Sequence, residues 1–120
     1  MRVLLDLRAQ GDPAATLAVE VYLHRLRAKI AAMAAATDGT DAIVFTGGVG
    51  ENAIELRAET CGHLAWLGLS IDSVVNRTVT SDDLDVSTDY AEIRTLVIHS
   101  REELVVAAGC RHALGNQAPA

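Results

Sequence analysis

Apolar residues recur along the first third of the chain at spacings of four, three, four and three: Val19, Leu23, Leu26, Ile30 and Met33. That period puts them on one stripe of a long amphipathic helix. Asp12-Pro13 opens it, because an Asp side chain can accept from the orphan amides of a first turn and the fixed φ of Pro suits the first helical position. The helix is expected to end by Thr37-Asp38-Gly39-Thr40, with Gly39 in the left-handed conformation that closes helices. The period then changes. Asp41 to Thr46 is a short apolar run between turn signals, which predicts a strand covered on both faces. It leads straight into Gly47-Gly48-Val49-Gly50-Glu51-Asn52, read as a glycine loop. Ile54, Ala58, Cys61 and Ala65 then mark a second helix, closed by Gly68.

The second half is less periodic. Leu69-Ser70-Ile71 and Asn76 to Thr80 each suggest a brief strand, and Thr80 to Asp85 an acidic turn. Arg94-Thr95-Leu96-Val97-Ile98 reads as a second buried strand. Ser100, followed by Glu102 and Glu103, looks like a helix entry with acidic residues in its positive first turn. Leu104, Val105, Ala108 and His112 continue that helix, and Gly115 to Ala120 is a tail. Strands alternating with helices predict an α/β fold.

Composition narrows the function classes. At 120 residues and 12.7 kDa the chain has the size of one domain, able to bury roughly two thirds of its unfolded surface if it folds alone. Only 3% of residues are aromatic, so the core must be aliphatic. A net charge of -6 argues against nucleic-acid binding, which needs clustered Lys and Arg to displace counterions. Arg25, Arg27 and Lys29 read as a solvated helix face. Cys61 and Cys110 lack metal or disulfide spacing and read as small packing residues of a protein in a reducing cytosol. Arg2, Asp6 and Arg8 interrupt any signal-peptide core, and no stretch approaches the ~18 apolar residues of a membrane span. A soluble, cytoplasmic protein is expected.

Two places could carry chemistry. After a buried strand, three glycines let the backbone approach a ligand closely, and a following helix offers free amides; a nucleotide is the natural guest, and a tight strand-to-helix turn is the bland alternative. Gly48-Val49-Gly50-Glu51-Asn52-Ala53 also fits the GxGxxG/A dinucleotide fingerprint, with Asp72 near the expected ribose-binding acid. Against that reading, a long helix precedes the strand and Glu51 would set a carboxylate beside a pyrophosphate. The second place is Ser100-Arg101-Glu102-Glu103, beyond the end of a strand, where a carboxylate could hold Mg²⁺ through water or simply complement the helix dipole. Asp82, Asp83 and Asp85 lack the mid-loop Gly and terminal Glu of a calcium loop and read as structural.

Taken together, Asp41-Ala42-Ile43-Val44-Phe45-Thr46-Gly47-Gly48-Val49-Gly50-Glu51-Asn52, then Leu67-Gly68-Leu69, then Leu96-Val97-Ile98-His99-Ser100-Arg101-Glu102-Glu103-Leu104 resemble the C-terminal part of the acetate kinase family, which shows F-T-[AG]-G-I-G-E-N, F-L-G and T-N-E-E-L. The resemblance covers residues 1–114, leaving 115–120 as a tail. It implies a partial ribonuclease-H-like domain of the actin-like ATPase superfamily, a mixed sheet packed with helices. It further implies ATP and Mg²⁺ as cofactors, ATP/ADP and a short-chain carboxylate (acetate or propionate) as partners, and transfer of a phosphoryl group onto that carboxylate to give acetyl phosphate and ADP. It allows a homodimer of the full-length enzyme. By the same resemblance Gly47, Gly48, Val49, Gly50, Glu51 and Asn52 form the nucleotide contact, Gly48 and Asn52 most directly, and Glu102 is the magnesium-binding acid. Two positions depart from the pattern: Arg101 stands where the family has Asn, and Val49 replaces Ile. The family's transition-state arginines, catalytic Asp and His, and phosphate loops lie upstream of the matched part, so no catalytic residue is assigned here. The expectation is therefore a fragment starting at an internal methionine, a truncated gene product or partial open reading frame, inactive alone. The alternative is a non-enzymatic remnant whose missing strands leave an apolar sheet edge exposed.

Overall fold

The computed structural model describes residues 1–78 and 82–115. Helix α1 spans Arg2–Ala9, which sequence patterning did not assign. Helix α2 spans Pro13–Ala36; Asp12 caps it through Oδ1, which accepts from Ala15 N at 2.7 Å, with Pro13 at the first position as expected. Its C-terminus corrects one expectation. Asp38, at φ +54°, takes the left-handed position, and Gly39 N donates to Ala34 O at 2.9 Å, so Gly39 lies one residue past the closing residue. The buried line of α2 passes through Ala15, Val19, Leu23 and Ala34, whereas Met33 is exposed.

Strand β1 (Ala42–Phe45) runs into α3 (Gly47–Asn52) and α4 (Ile54–His63). After two short 3-10 turns, at Ala65–Leu67 and Val75–Arg77, come β2 (Leu84–Asp85), β3 (Arg94–Val97) and α5 (Glu102–Gly115). The sheet is mixed, in the order β1-β3-β2: β1 runs parallel to β3, with Ala42 opposite Arg94 and Phe45 opposite Val97, and β2 runs antiparallel to β3.

Several expectations change here. β1 is an edge strand and is not covered on both faces: Ala42 and Val44 are exposed while Ile43 and Phe45 are half-buried. Val44 is 51% exposed, so the period-2 alternation of a half-solvated strand replaces full burial. In β3 the alternation is cleaner, with Thr95 and Val97 buried. The stretch 69–71 contributes two isolated bridges, Leu69 to Ile93 and Ile71 to Ser87, in place of a strand. Of the strand expected at 76–80, Asn76 and Arg77 belong to a 3-10 turn, and 79–81 lie outside the described residues. Gly115 is the last residue of α5, and the rest of the expected tail, 116–120, also lies outside them.

Two apolar clusters hold the fold. Met1, Leu4 and Leu5 pack on Val19, Leu23, Ala53 and Leu56, joining α1 to α2 and α4. Ile30, Ile43, Phe45, Leu67 and Ile71 pack on Cys61, Leu64, Leu69 and Ile93, joining α4 to the sheet. The predicted stripe of α4 is rotated: Leu56, Arg57, Thr60 and Cys61 are its buried residues, and Ala65 is exposed. Cys61 packs in the core as expected, and burial pushes its thiol pKa up, which keeps it inert. Cys110 is exposed on α5 and is not a packing residue.

Candidate functional site

Parallel pairing sets the C-terminal ends of β1 and β3 side by side, so the chain leaves both strands at one sheet edge. The glycine segment departs from one and Ser100 to Glu102 from the other. The glycine segment is itself a helical turn, α3, and not an open loop. Gly47 enters it at φ +72°, a conformation glycine adopts without strain. Gly50 sits against the strand end: a Cβ there would lie 3.1 Å from the carbonyl carbon of Phe45. Asn52 Nδ2 donates to Gly48 O at 2.9 Å and braces the turn.

Burial supplies the rest of the scaffold. Arg57 is 3% exposed, and its guanidinium donates to Gly50 O at 2.8 Å and Glu51 O at 2.7 Å, the carbonyls that end α3. It also donates to Asn76 Oδ1 at 2.8 Å and Asn76 O at 2.9 Å. Asn76 Nδ2 in turn donates to Ile54 O at 3.1 Å. Burial pushes the guanidinium pKa down, but an arginine stays charged at ordinary pH, and here its charge is met by carbonyl dipoles. Nothing in the motif reading assigned Arg57 a role. Its signal was a cation at the centre of the spacing Ala53, Arg57, Thr60, Leu64.

Glu51 is turned away from the role expected for it. Its Oε1 accepts from Gly47 N and from Ser100 N, each at 2.8 Å, and its Oε2 stands 3.3 Å from His99 Nδ1. The first amide of α3 is thereby taken by a carboxylate of the same turn. That takes one of the amides expected to be free at this end and sets a carboxylate where the dinucleotide reading requires a pyrophosphate, which weighs against that reading. Asp72 is likewise occupied, its Oδ1 accepting from Val74 N and Val75 N at 2.8 and 2.9 Å.

On the other face of α3 a cleft of about 650 Å³ opens toward α1 and α4. Gly48, Val49 and Asn52 line it together with Met1, Leu5 and Ala53, and Arg2 is part of its wall. Arg8 on the same wall is held by Glu59 in a two-pronged ion pair of 2.6 and 2.9 Å. A Cβ on Gly48 would meet nothing within 4 Å, so this glycine leaves room for a guest. The volume lies within the range of small-molecule sites, about 300–1,000 Å³; Asp6, Glu55 and Glu59 also line it, so charged side chains of both signs share its wall with the apolar ones. Of the six residues singled out in the glycine segment, Gly48, Val49 and Asn52 reach this cleft; Gly47, Gly50 and Glu51 shape the turn.

The segment after β3 is pinned amide by amide. Ile98 N donates to Phe45 O at 2.9 Å, His99 N to Asp83 Oδ1 at 3.0 Å, and Ser100 N to Glu51 Oε1 at 2.8 Å. Arg101 is paired with Asp83 at 3.1 Å, which directs its cation to the acidic turn. Asp85 similarly takes Arg94 at 2.7 Å. Glu102 is the exposed first residue of α5 and lines neither the large cleft nor the small one beside Glu51, Arg57 and His99. Among the described residues no three His, Cys, Asp or Glu side chains converge on a common point. Glu102 therefore suits a divalent cation only as one contact, the remainder coming from water and a phosphate-bearing ligand, the way Mg²⁺ is commonly held. No helix among the described residues is long and apolar enough to cross a membrane.

The sequence profile of the acetokinase family matches residues 1–108. The acetate kinase of Synechococcus sp. (strain JA-2-3B'a(2-13)) is 42% identical over 114 residues, covering 95% of this chain and 28% of that protein. Among solved structures, the Porphyromonas gingivalis acetate kinase superposes with a TM-score of 0.80 at 33% identity, over 94% of this chain and 28% of that one. A propionate kinase from Francisella tularensis gives 0.77 at 36% identity, over 88% of this chain and 27% of that one. The chain thus spans about 28% of the length of the curated relatives it matches, and its fold is that part of the actin-like ATPase architecture those kinases share.

Proposed function

Because the chain belongs to the acetokinase family, we propose that it supplies the nucleotide-binding portion of an ATP-dependent kinase of acetate or propionate, working in the cytoplasm and depending on further polypeptide for the chemical step. The observation that carries this reading is the cleft in which Gly48, Val49 and Asn52 meet Arg2 across α1. Its apolar residues Met1, Leu5, Val49 and Ala53 suit the flat face of adenine and the ribose, and of the charged residues in its lining Arg2 suits the negative charge that follows them, Arg8 being paired with Glu59. Since Glu51 already holds the first amide of α3, the glycine turn is assigned to the nucleoside end of ATP, with the phosphates left to groups elsewhere.

Glu102 would hold Mg²⁺ through water, and the ion when bound would neutralise charge on the phosphates. In the reaction, a carboxylate oxygen of the acceptor forms a bond to the γ-phosphorus as the bond from that phosphorus to the β,γ-bridging oxygen breaks, and ADP departs with the electron pair. This chain contributes binding and orientation to that step, and no side chain in it is assigned as acid, base or transition-state clamp.

The test is acyl phosphate formation from ATP and acetate or propionate, measured for this chain and for a version extended by the preceding portion of a relative. Activity in the extended protein alone is the expected result. Activity in neither, together with no saturable response of Gly48, Val49, Asn52 and Arg2 to ATP, would leave the non-enzymatic remnant as the better account.

A further inference from the structure

Four arms meet on one residue. Glu51 has its carbonyl held by Arg57 at 2.7 Å, its Oε1 shared between the amides of Gly47 and Ser100 at 2.8 Å each, and its Oε2 3.3 Å from His99 Nδ1. Gly47 begins the turn that lines the cleft, and Ser100 lies two residues before Glu102. Glu51 and Ser100 are 49 residues apart in sequence, and alongside the Ile98 to Phe45 backbone bond the carboxylate of Glu51 joins the two segments.

We propose that Glu51 is a positioning residue: its carboxylate ties the nucleotide-contacting turn to the segment that carries Glu102, so that the two move as one unit. The functional meaning rests on the nucleotide reading above; the tie itself does not. A charge-assisted bond from one oxygen to two amides is stronger than a neutral one and fixes direction as well as distance. The side chain is mostly shielded, at 18% exposure, so water competes weakly for the same oxygen. The arrangement explains why a carboxylate stands in a segment that contacts a polyanion: it faces inward, to the backbone, on the side of the turn away from the cleft. Ligand seated against Gly48 and Asn52 is thereby felt at Ser100 through a single side chain.

The experiment has two readouts on the intact chain, amide exchange without ligand and amide chemical shifts on titration with ATP. Glu51→Ala is expected to lower protection at Gly47 and Ser100 together, by about tenfold, the scale of one lost charge-assisted hydrogen bond. Glu51→Gln, which keeps an acceptor oxygen, should restore most of it. In the unsubstituted chain, ATP should shift both the Gly48 to Asn52 signals and those of Ser100 to Glu103; in Glu51→Ala the first set should persist and the second disappear. Where Glu51→Ala does not fold, Glu51→Asp, one methylene too short to span both amides, takes its place. Unchanged protection at Ser100, or a Ser100 response to ATP that survives the substitution, overturns the proposal. Absence of any ATP response in the unsubstituted chain overturns the nucleotide reading, and the exchange pair then decides the tie alone.

Discussion

Helices α4 and α5 both follow strands of the same parallel pair, yet they are held in opposite ways. α4 buries Leu56, Arg57, Thr60 and Cys61, and the turn before it is fastened by Arg57. α5 buries none of its residues; Leu104, Val105 and Val106 are 59%, 75% and 63% exposed. The glycine turn is therefore preorganised by contacts within this chain, whereas the Glu102 helix, with no buried residue among those described, is tied at its root through His99 N and Ser100 N. Preorganisation is what a nucleotide contact needs, since every group held in place before binding spares the ligand its ordering cost. The carboxylate proposed to hold Mg²⁺ has no such support here, and its orientation depends on how firmly the root is tied.

The strongest way to break this contrast is to remove Arg57. Arg57→Ala leaves the carbonyls of Gly50, Glu51 and Asn76 and the side-chain oxygen of Asn76 without their donor in a buried place. Unsatisfied buried polar groups of this kind are worth about 1–3 kcal/mol each, so a loss of roughly 3 kcal/mol or more is expected, close to unfolding for a small domain. Urea denaturation measures it. Arg57→Lys should recover only part, because an ammonium cannot reproduce the planar fork that reaches Gly50, Glu51 and Asn76 at once. A stability equal to that of the unsubstituted chain would mean that α3 is held by its own glycine geometry.

How much of this was legible in the sequence follows the same division. α2 was readable because its cap, Pro13 and apolar period agree, and the Gly-rich turn was readable because few residue types can follow a strand so closely. α1 was not, since Arg2, Asp6 and Arg8 blur its apolar face and Met1 offers no side-chain cap. The buried side of α4 was misread by about one position because Arg57 and Thr60, both polar, occupy it; a buried cation carries no hydrophobic signal. Glu51 was visible as a carboxylate in an awkward place, but its partner Ser100 is remote in sequence and only the β1/β3 register brings them together. Val44 was expected in a core because an apolar run says nothing about which neighbours cover it.

Acid should loosen the root of α5 before it disturbs α4. The amide of His99 first, and then the Arg101 guanidinium, hold the Asp83 carboxyl below its ordinary value of 3.8. With the folded-state pKa depressed, this tie is fully present above the ordinary value and is lost as pH falls through the lower folded one. Arg57 involves no carboxylate in its bonds and keeps its charge over the same window. Amide exchange followed from about pH 5 down to about pH 2 should therefore show His99 losing protection while the α4 amides hold. Simultaneous loss would make the two helices one cooperative unit.

The smallest effect is expected on α5 itself, and for that reason it bears most directly on the contrast. Val105 is 75% exposed, so replacing it removes almost no surface that folding has taken from water. Val105→Ser should shift stability by no more than about 0.5 kcal/mol, the range of substitutions away from packed or bonded features. Thermal unfolding compared with Arg57→Ala sets the two values on one scale. A loss approaching 2 kcal/mol would mean that Val105 packs in solution, and the contrast between a buried α4 and an exposed α5 would fall. A null result in this chain, set beside a clear loss in the extended protein, would instead show that the α5 face is covered by polypeptide beyond these residues, which is the condition under which Glu102 acquires a fixed direction.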